Sequence, residues 1–371
     1  MVGKGCSEFD LSPDEELFMG VTFSFPMKQS SLSQATLMPM GKGFAITSNL
    51  DLGGHLMKGY EKHRTSRLPP IKIAAISNDA VATLVSFIYQ FPAAAHQKAA
   101  MGLIVGTGCN ATIPLKLSSL HQDKRPVSIS VSPDQDIADV KIAVNTEWSI
   151  NGTAPPLRKF GLITRWDEEL DKAGEAPGFQ PLEYMTAGRY LGELARLIFL
   201  EYITTMEGLA VDSLPKRLRQ RFGLSTTFIS HFFPGSPRGR ILDQLEAEFP
   251  VDNFQWTDPL AHTLYRISKA IEIRAAVIIA AAIVGLLRCA GEIGDVPDTE
   301  QGPDVKELVV GYTGGCIQYF QNYLADTQRF LDGIMEPHQH LKVVLRPYHD
   351  GGITGAGILV PAALAGRVVA N

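Results

Sequence analysis

One pattern recurs along this chain of 371 residues and limits what it can fold into. An apolar, β-branched run ends in a Gly or Asn/Asp turn, and a helical run follows. The stretch "KIAAISNDAVATLVSFIY", residues 72–89, is the plainest case. Ile73 and Ile76 read as strand, while Ala80, Ala82, Leu84 and Phe87 read as helix. Ser77-Asn78-Asp79 stands between them. Repetition of strand, turn and helix predicts an α/β fold built on a parallel sheet.

Strands are expected at 19–25, 71–76, 101–106, 140–148, 306–311 and 341–347. Helices are expected at about 54–66, 79–90, 180–207, 238–248, 257–290, 316–331 and 355–368. The Gly-, Pro- and acid-rich segment 291–304 reads as a loop.

The chain is 45% hydrophobic and 20% charged, with a net charge of −5. That is a soluble globular balance, and it points to neither nucleic acid nor a membrane surface as partner. The basic cluster "PKRLRQRFG" from Pro215 alternates charge with Leu218 and Phe222 and reads as a solvated helix face or turn, the alternative being a localisation signal. The longest apolar run, "AAVIIAAAIVGLL" at 275–287, falls short of the ~20 residues a bilayer demands and reads as a buried helix. Cys6, Cys109, Cys289 and Cys316 lack metal-ligand spacing. They predict no zinc site or disulfide framework, and a reducing, cytoplasmic setting. Acids where a signal peptide would have its apolar core argue against secretion.

Several residues could carry chemistry. Asp79 is either a helix N-cap or a carboxylate held at the end of a strand, where open α/β sheets bind ligands. "GLIVGTGCNATI" at 102–113 is a strand, a Gly-Thr-Gly turn and a second strand. Such a turn is either a plain hairpin or a nest of amides for an anion. Glu147 ends a strand in "VNTEWSINGT", and Glu183 opens a long helix, where the helix dipole alone could explain it. Ser24 and Lys42 lie in "VTFSFPMKQSSL" and "MGKGF". Glycine turns recur after strands in "VVGYTGGC" (309–316) and "RPYHDGGITGAG" (346–357), a setting that suits phosphate or ribose.

Taken in order, "FSFP", "KGF", "NDAVATL", "GTGCNA", "NTEWSING" and "PGFQPLEYMTAGRYLGELARLI" resemble the hexokinase family of the actin-like ATPase (ribonuclease H-like) fold. The resemblance runs from about Leu17 over nearly the whole chain. It implies an ATP-dependent phosphotransferase acting on the 6-hydroxyl of a hexose or N-acetylhexosamine. It implies that Asn78 and Asp79 hold the sugar, with Asp79 as general base. Ser24, Lys42, Asn110, Glu147 and Glu183 would contact sugar hydroxyls. Thr107 and Gly108 would meet the ATP phosphates, and Gly314 and Gly315 would lie near the adenosine. Mg²⁺ would be carried mostly by ATP oxygens and water. Phosphoryl transfer needs positioning and charge neutralisation more than covalent help, and a carboxylate need only orient the hydroxyl until late in the reaction.

The sequence also departs from the family pattern. Gly41 precedes Lys42 where the better-known glucose kinases carry Thr. "LMPMGKGF" resembles an atypical fungal branch that includes N-acetylglucosamine kinases and non-catalytic regulators. The family's strand-turn-strand Asp-Leu-Gly-Gly-Thr hairpin is not found, and "DLGG" at Asp51 reads as the start of a helix. The resemblance thus implies a truncated small domain over 1–78 and a nearly complete large domain over 79–344. A C-terminal glycine turn and helix over 345–371 would return toward the small domain. A small domain without that hairpin is expected to leave apolar faces and strand edges uncovered. The alternatives to a kinase are a catalytically impaired, sugar-binding regulatory protein and an inactive fragment.

Overall fold

The computed structural model describes residues 2–38, 46, 49–92, 96–126, 128–131, 136–137, 140–147, 150–252, 254–294, 306–338, 340–365 and 367–370. The element order begins α1 (Val2–Glu8), β1 (Leu17–Phe23), β2 (Met27–Ser31), β3 (Gln34–Leu37), α2 (Leu52–His63), β4 (Ile71–Asn78) and α3 (Asp79–Gln90). It continues with β5 (Gln97–Val105), β6 (Cys109–Lys116), β7 (Ser128–Val131), β8 (Lys141–Asn145), α4 (Ile150–Lys159), α5 (Arg165–Lys172), α6 (Pro181–Thr186) and α7 (Gly188–Thr205). Then come α8 (Lys216–Arg219), α9 (Thr226–His231), α10 (Ile241–Glu248), α11 (Asp258–Cys289), β9 (Glu307–Thr313) and α12 (Gly315–Tyr319). The last are α13 (Tyr323–Met335), β10 (Lys342–Pro347), α14 (Gly351–Ala365) and β11 (Arg367–Ala370).

Two compact units share the chain. The first comprises 1–93, 112–145 and 348–371; the second comprises 94–111 and 146–347. This division follows a different line from the expected segments 1–78, 79–344 and 345–371. Helix α3 goes with the first unit, as does the segment 112–145.

In the first unit β1 pairs with β4 in parallel, from Leu17↔Ile71 to Phe23↔Asn78. β2 and β3 form an antiparallel hairpin, and Phe25, Ala35, Leu37, Leu52, Ile73 and Ile76 build a core against this framework. Burying a side chain of this size is worth ~1.5–3 kcal/mol, so this segment has a core of its own. Phe18 nevertheless stays 42% exposed on β1. A second small cluster, Leu117, Ile129, Val131 and Val140, lies under the pairing of β11 with β7. "DLGG" is indeed a helix start: Asp51 caps α2, its carboxylate accepting from the Gly54 N–H at 3.2 Å.

One expectation needs correction here. "DGGITGAG" is not a turn in front of a helix, because Gly351, Gly352, Gly355 and Gly357 already lie within α14. The glycines serve packing instead. A Cβ on Gly355 would collide with the Ala82 carbonyl of α3, and one on Gly351 would stand 2.9 Å from the Thr83 Cα. From the other side, a Cβ on Gly20 of β1 would collide with the Ala356 carbonyl. Backbones approach this closely only where side chains are missing.

In the second unit β10, β9 and β5 run parallel, with β9 in the middle. α11 is the spine of its helical part and packs on α7 and α13. It is long and apolar enough to cross a membrane, yet 56% of its most apolar 18-residue stretch is buried inside the fold. It also carries buried Ser268 and Glu272.

Candidate active site

In the first unit β1 and β4 pair as far as Phe23↔Asn78, across one register shift between Met19 and Gly20, so two parallel strands end level. Ser24 leaves the end of β1, exposed, and Asn78-Asp79 leaves the end of β4 into α3. The carboxyl ends of parallel strands are where such sheets bind ligands.

Asn78 and Asp79 share the start of α3. Asn78 is the cap: its Oδ1 accepts from the Ala80 N–H at 2.9 Å. The Asn78 amide donates to the Phe25 carbonyl at 3.2 Å, and the residue is 4% exposed. Asp79 is the first helical residue and is half-buried. Its Oδ1 also accepts from Ala80 N–H at 2.9 Å, and among the described residues no group bonds the other oxygen. A helix N-terminus favours this sign of charge. Lys42 lies outside the described residues.

In the second unit β5 and β9 are parallel up to Ile104↔Thr313. The turns that follow, 106–108 and 314–315, therefore issue from adjacent strand ends. Thr107 is exposed on the first turn and Gly108 is half-buried. Gly314 has φ +120°, a conformation that favours glycine, and a Cβ there would collide with the Val105 carbonyl. A Cβ on Gly106 would lie 3.6 Å from the Gly314 Cα. The start of α7 closes a third side. Gly188 N–H donates to the Gly106 carbonyl at 2.8 Å, and Arg189 N–H to the Thr107 carbonyl at 3.2 Å. Three backbone segments thus approach one another closely where side chains are missing.

The polar side chains begin one residue beyond Gly108. Glu183, 3% exposed on α6, accepts the Cys109 N–H at 3.1 Å through Oε2. Asn110 donates from Nδ2 to Glu147 Oε1 at 3.3 Å. Glu147, just past β8, has φ +48°. A left-handed conformation at a non-glycine residue costs on the order of 1–3 kcal/mol and persists where the surroundings enforce it. Here Thr146 anchors the turn, donating to the Ala111 carbonyl from N–H at 3.0 Å and from Oγ1 at 2.8 Å. Asn110 and Glu147 are thereby brought together, and Glu183 is tied to the residue that precedes Asn110. Burial pushes the neighbouring Tyr184 hydroxyl up to about 12 and raises that of Tyr190 as well, so both remain protonated donors.

Gly188 was not singled out from the sequence. In "MTAGRY" it reads as an ordinary helical residue, and only its approach to Gly106 reveals its part. Among the described residues no group of three or more His, Cys, Asp or Glu is placed to hold a metal ion.

Comparison with known proteins bears on the family and the fold. A family model described as Hexokinase matches residues 100–362, and a second of the same description matches residues 3–89. Hexokinase-1 of Nicotiana tabacum is 26% identical over 357 residues, covering 95% of this chain and 65% of its own length. Hexokinase-7 of Oryza sativa subsp. japonica is 28% identical over 356 residues, covering 94% and 69%. This chain therefore spans about two thirds of the length of these curated relatives. The hexokinase from Schistosoma mansoni complexed with glucose superposes with a TM-score of 0.74 at 25% identity, covering 98% of this chain and 73% of that one. A second crystal structure of hexokinase gives a TM-score of 0.69 at 23% identity, covering 98% and 72%, and supports the fold. The curated relatives named here come from plants, and the expected place in an atypical fungal branch finds no support among them. By family model and fold together, the chain belongs to the hexokinase family.

Proposed function

We propose that this protein transfers the terminal phosphoryl group of ATP to the 6-hydroxyl of a hexose or N-acetylhexosamine, with Asp79 as general base. The observation that carries the reading is the division of labour at positions 78 and 79. Asn78 takes the capping task, and Asp79 keeps a carboxylate oxygen that no described residue bonds, at the carboxyl end of a parallel strand. A carboxylate so held accepts the hydroxyl proton as the oxygen attacks phosphorus.

The remaining residues take supporting parts. Ser24, Lys42, Asn110, Glu147 and Glu183 hold hydroxyls of the sugar, and Asn78 holds the sugar as it fixes the start of α3. The turn carrying Thr107 and Gly108 offers backbone to the phosphates, and Gly314 and Gly315 offer it to the adenosine side. Mg²⁺ arrives with the nucleotide as part of the substrate, neutralising charge on the transferring group. The free state of all four cysteines is in keeping with a reducing, cytoplasmic setting.

The test is sugar-dependent ADP release by the purified chain across glucose, mannose, fructose and N-acetylglucosamine, with Asp79→Ala as the control. Turnover lost in the variant supports the assignment, and turnover unchanged by it overturns the base. Calorimetry showing sugar binding without ADP release selects the sugar-binding regulator instead.

A further inference from the structure

α6 is one and a half turns long and carries Glu183 in its middle. Its last carbonyl, that of Thr186, is gripped from outside. The Tyr323 hydroxyl of α13 donates to it at 3.0 Å, and the Cys316 thiol of α12 points at it from 4.0 Å. Both donors are buried, Tyr323 completely and Cys316 to 8% exposure. Just past Thr186 the backbone opens to an extended conformation at Ala187 before α7 starts at Gly188. The Ala187 N–H still closes the last turn on the Glu183 carbonyl at 2.9 Å, and the phenol adds a constraint from outside the helix, on the carbonyl that the turn leaves open.

We propose that Tyr323 is a positioning residue: its hydroxyl, bonded to the Thr186 carbonyl, sets the end of α6 and through it the Glu183 carboxylate that meets the sugar. The inference rests on the reading of Glu183 as a sugar ligand. Less than a turn of helix separates the two residues, so a displacement at Thr186 is passed on to Glu183. A binding group must be held within roughly 0.5 Å of its working place. Burial raises the phenol above the ordinary tyrosine range, so it remains a protonated donor near neutral pH. The buried ring meets the edge of Phe320 at 6.3 Å between centroids, while the bond from Thr327 Oγ1 to the Tyr323 carbonyl at 2.7 Å belongs to the backbone of α13.

The experiment is a double-mutant cycle on sugar affinity, read by calorimetry with the tighter binder of glucose and N-acetylglucosamine. Tyr323→Phe removes one oxygen and keeps the ring. The dissociation constant is expected to rise about three- to tenfold, as loss of one hydrogen bond allows. In a Glu183→Gln background the same substitution is expected to change it less than twofold, because the group it positions is already altered. Thr327→Val, which loosens α13 without touching Thr186, separates stability from positioning. It is expected to lower the unfolding midpoint and leave the sugar constant unchanged. Equal effects of Tyr323→Phe in both backgrounds, or an equal rise in Thr327→Val, overturn the proposal. Should Tyr323→Phe fail to fold, Cys316→Ala removes the second donor, and additivity with Glu183→Gln overturns it likewise. Failure of the unaltered protein to bind either sugar overturns the reading of Glu183 first, and this inference with it. That result is distinct from binding that Tyr323→Phe leaves untouched.

Discussion

Asp167 and Arg274 meet fork to fork, with Nη1 to Oδ2 at 2.7 Å and Nη2 to Oδ1 at 2.8 Å. Asp167 is 4% exposed and also closes a capping box with Thr164 at the start of α5. The pair ties α5 to the spine helix α11. Asp167→Asn keeps the shape and leaves the guanidinium uncompensated. We expect a loss of about 3–5 kcal/mol, read from urea unfolding, with sugar affinity in the folded protein unchanged.

Asn78 and Asp79 should respond oppositely to substitution. Asn78→Ala removes the cap, at a cost of ~0.5–2 kcal/mol, together with the buried bond to the Phe25 carbonyl. Asp79→Asn should leave the urea midpoint in place while lowering kcat roughly 10²–10⁴-fold. A parallel loss of stability in both variants would return the capping task to Asp79.

Glu183→Gln keeps an oxygen to accept the Cys109 amide and gives up the charge. Hydrogen bonds to charged groups contribute about 1.5–3 kcal/mol, so sugar affinity should fall roughly ten- to hundredfold. Nucleotide affinity measured without sugar should hold. An equal fall in both constants would mean that the substitution has disturbed the neighbouring turn.

The stability of the second unit should carry a pH signature at Glu272. This carboxyl is fully buried on α11, bonded by Lys269, which in turn reaches Asp326 at 2.7 Å. Burial raises it from its ordinary 4.5 to about 7, against the partial counterweight of Lys269. Between those values the folded chain keeps a proton that the unfolded chain has lost, so stability falls as pH rises from 4.5 to about 7. The shifts of Asp326 (downward) and Lys269 (upward) act outside that window. Glu272→Gln should flatten the decline, which urea midpoints at pH 5, 6, 7 and 8 would reveal. A slope retained in the variant would assign it to another group.

Two glycines of α14 should behave as opposites. Gly355→Ala forces a methyl against the Ala82 carbonyl and should cost ~1–3 kcal/mol, as overpacking does. Gly357 faces open space, and alanine there should add up to ~1 kcal/mol through helix propensity. Thermal melts of the two variants would check the pair. A gain from Gly355→Ala would disprove the tight seating of α14.

Where local pattern decides structure, the sequence was legible. α3 was expected at 79–90 and occupies those residues, and α11 was expected at 257–290 and spans Asp258–Cys289. Each has a polar cap, and α3 adds an apolar face while α11 adds a long apolar run, so local and tertiary preferences agree. α4 was not foreseen, because Pro155 and Pro156 inside it argue against helix. The hairpin of β2 and β3 escaped because its short strands carry little alternating apolar signal. In "DGGITGAG" glycine was read for its freedom to turn, whereas the fold uses its lack of a side chain. The residue types of the candidate site stood out. Their grouping did not, since the 106–108 turn and the α6–α7 joint meet from some eighty residues apart.

The seating of α14 on α3 and β1 has a consequence for biogenesis. Translation delivers β1, β4 and α3 early, and the helix that covers them emerges only about 260 residues later. At 5–20 residues per second that interval lasts roughly ten to fifty seconds. Throughout it the nascent chain presents the glycine-matched surface at Ala82 and Thr83 to ribosome-associated chaperones. The first unit can therefore mature only after translation has passed Gly351, however early its strands are made.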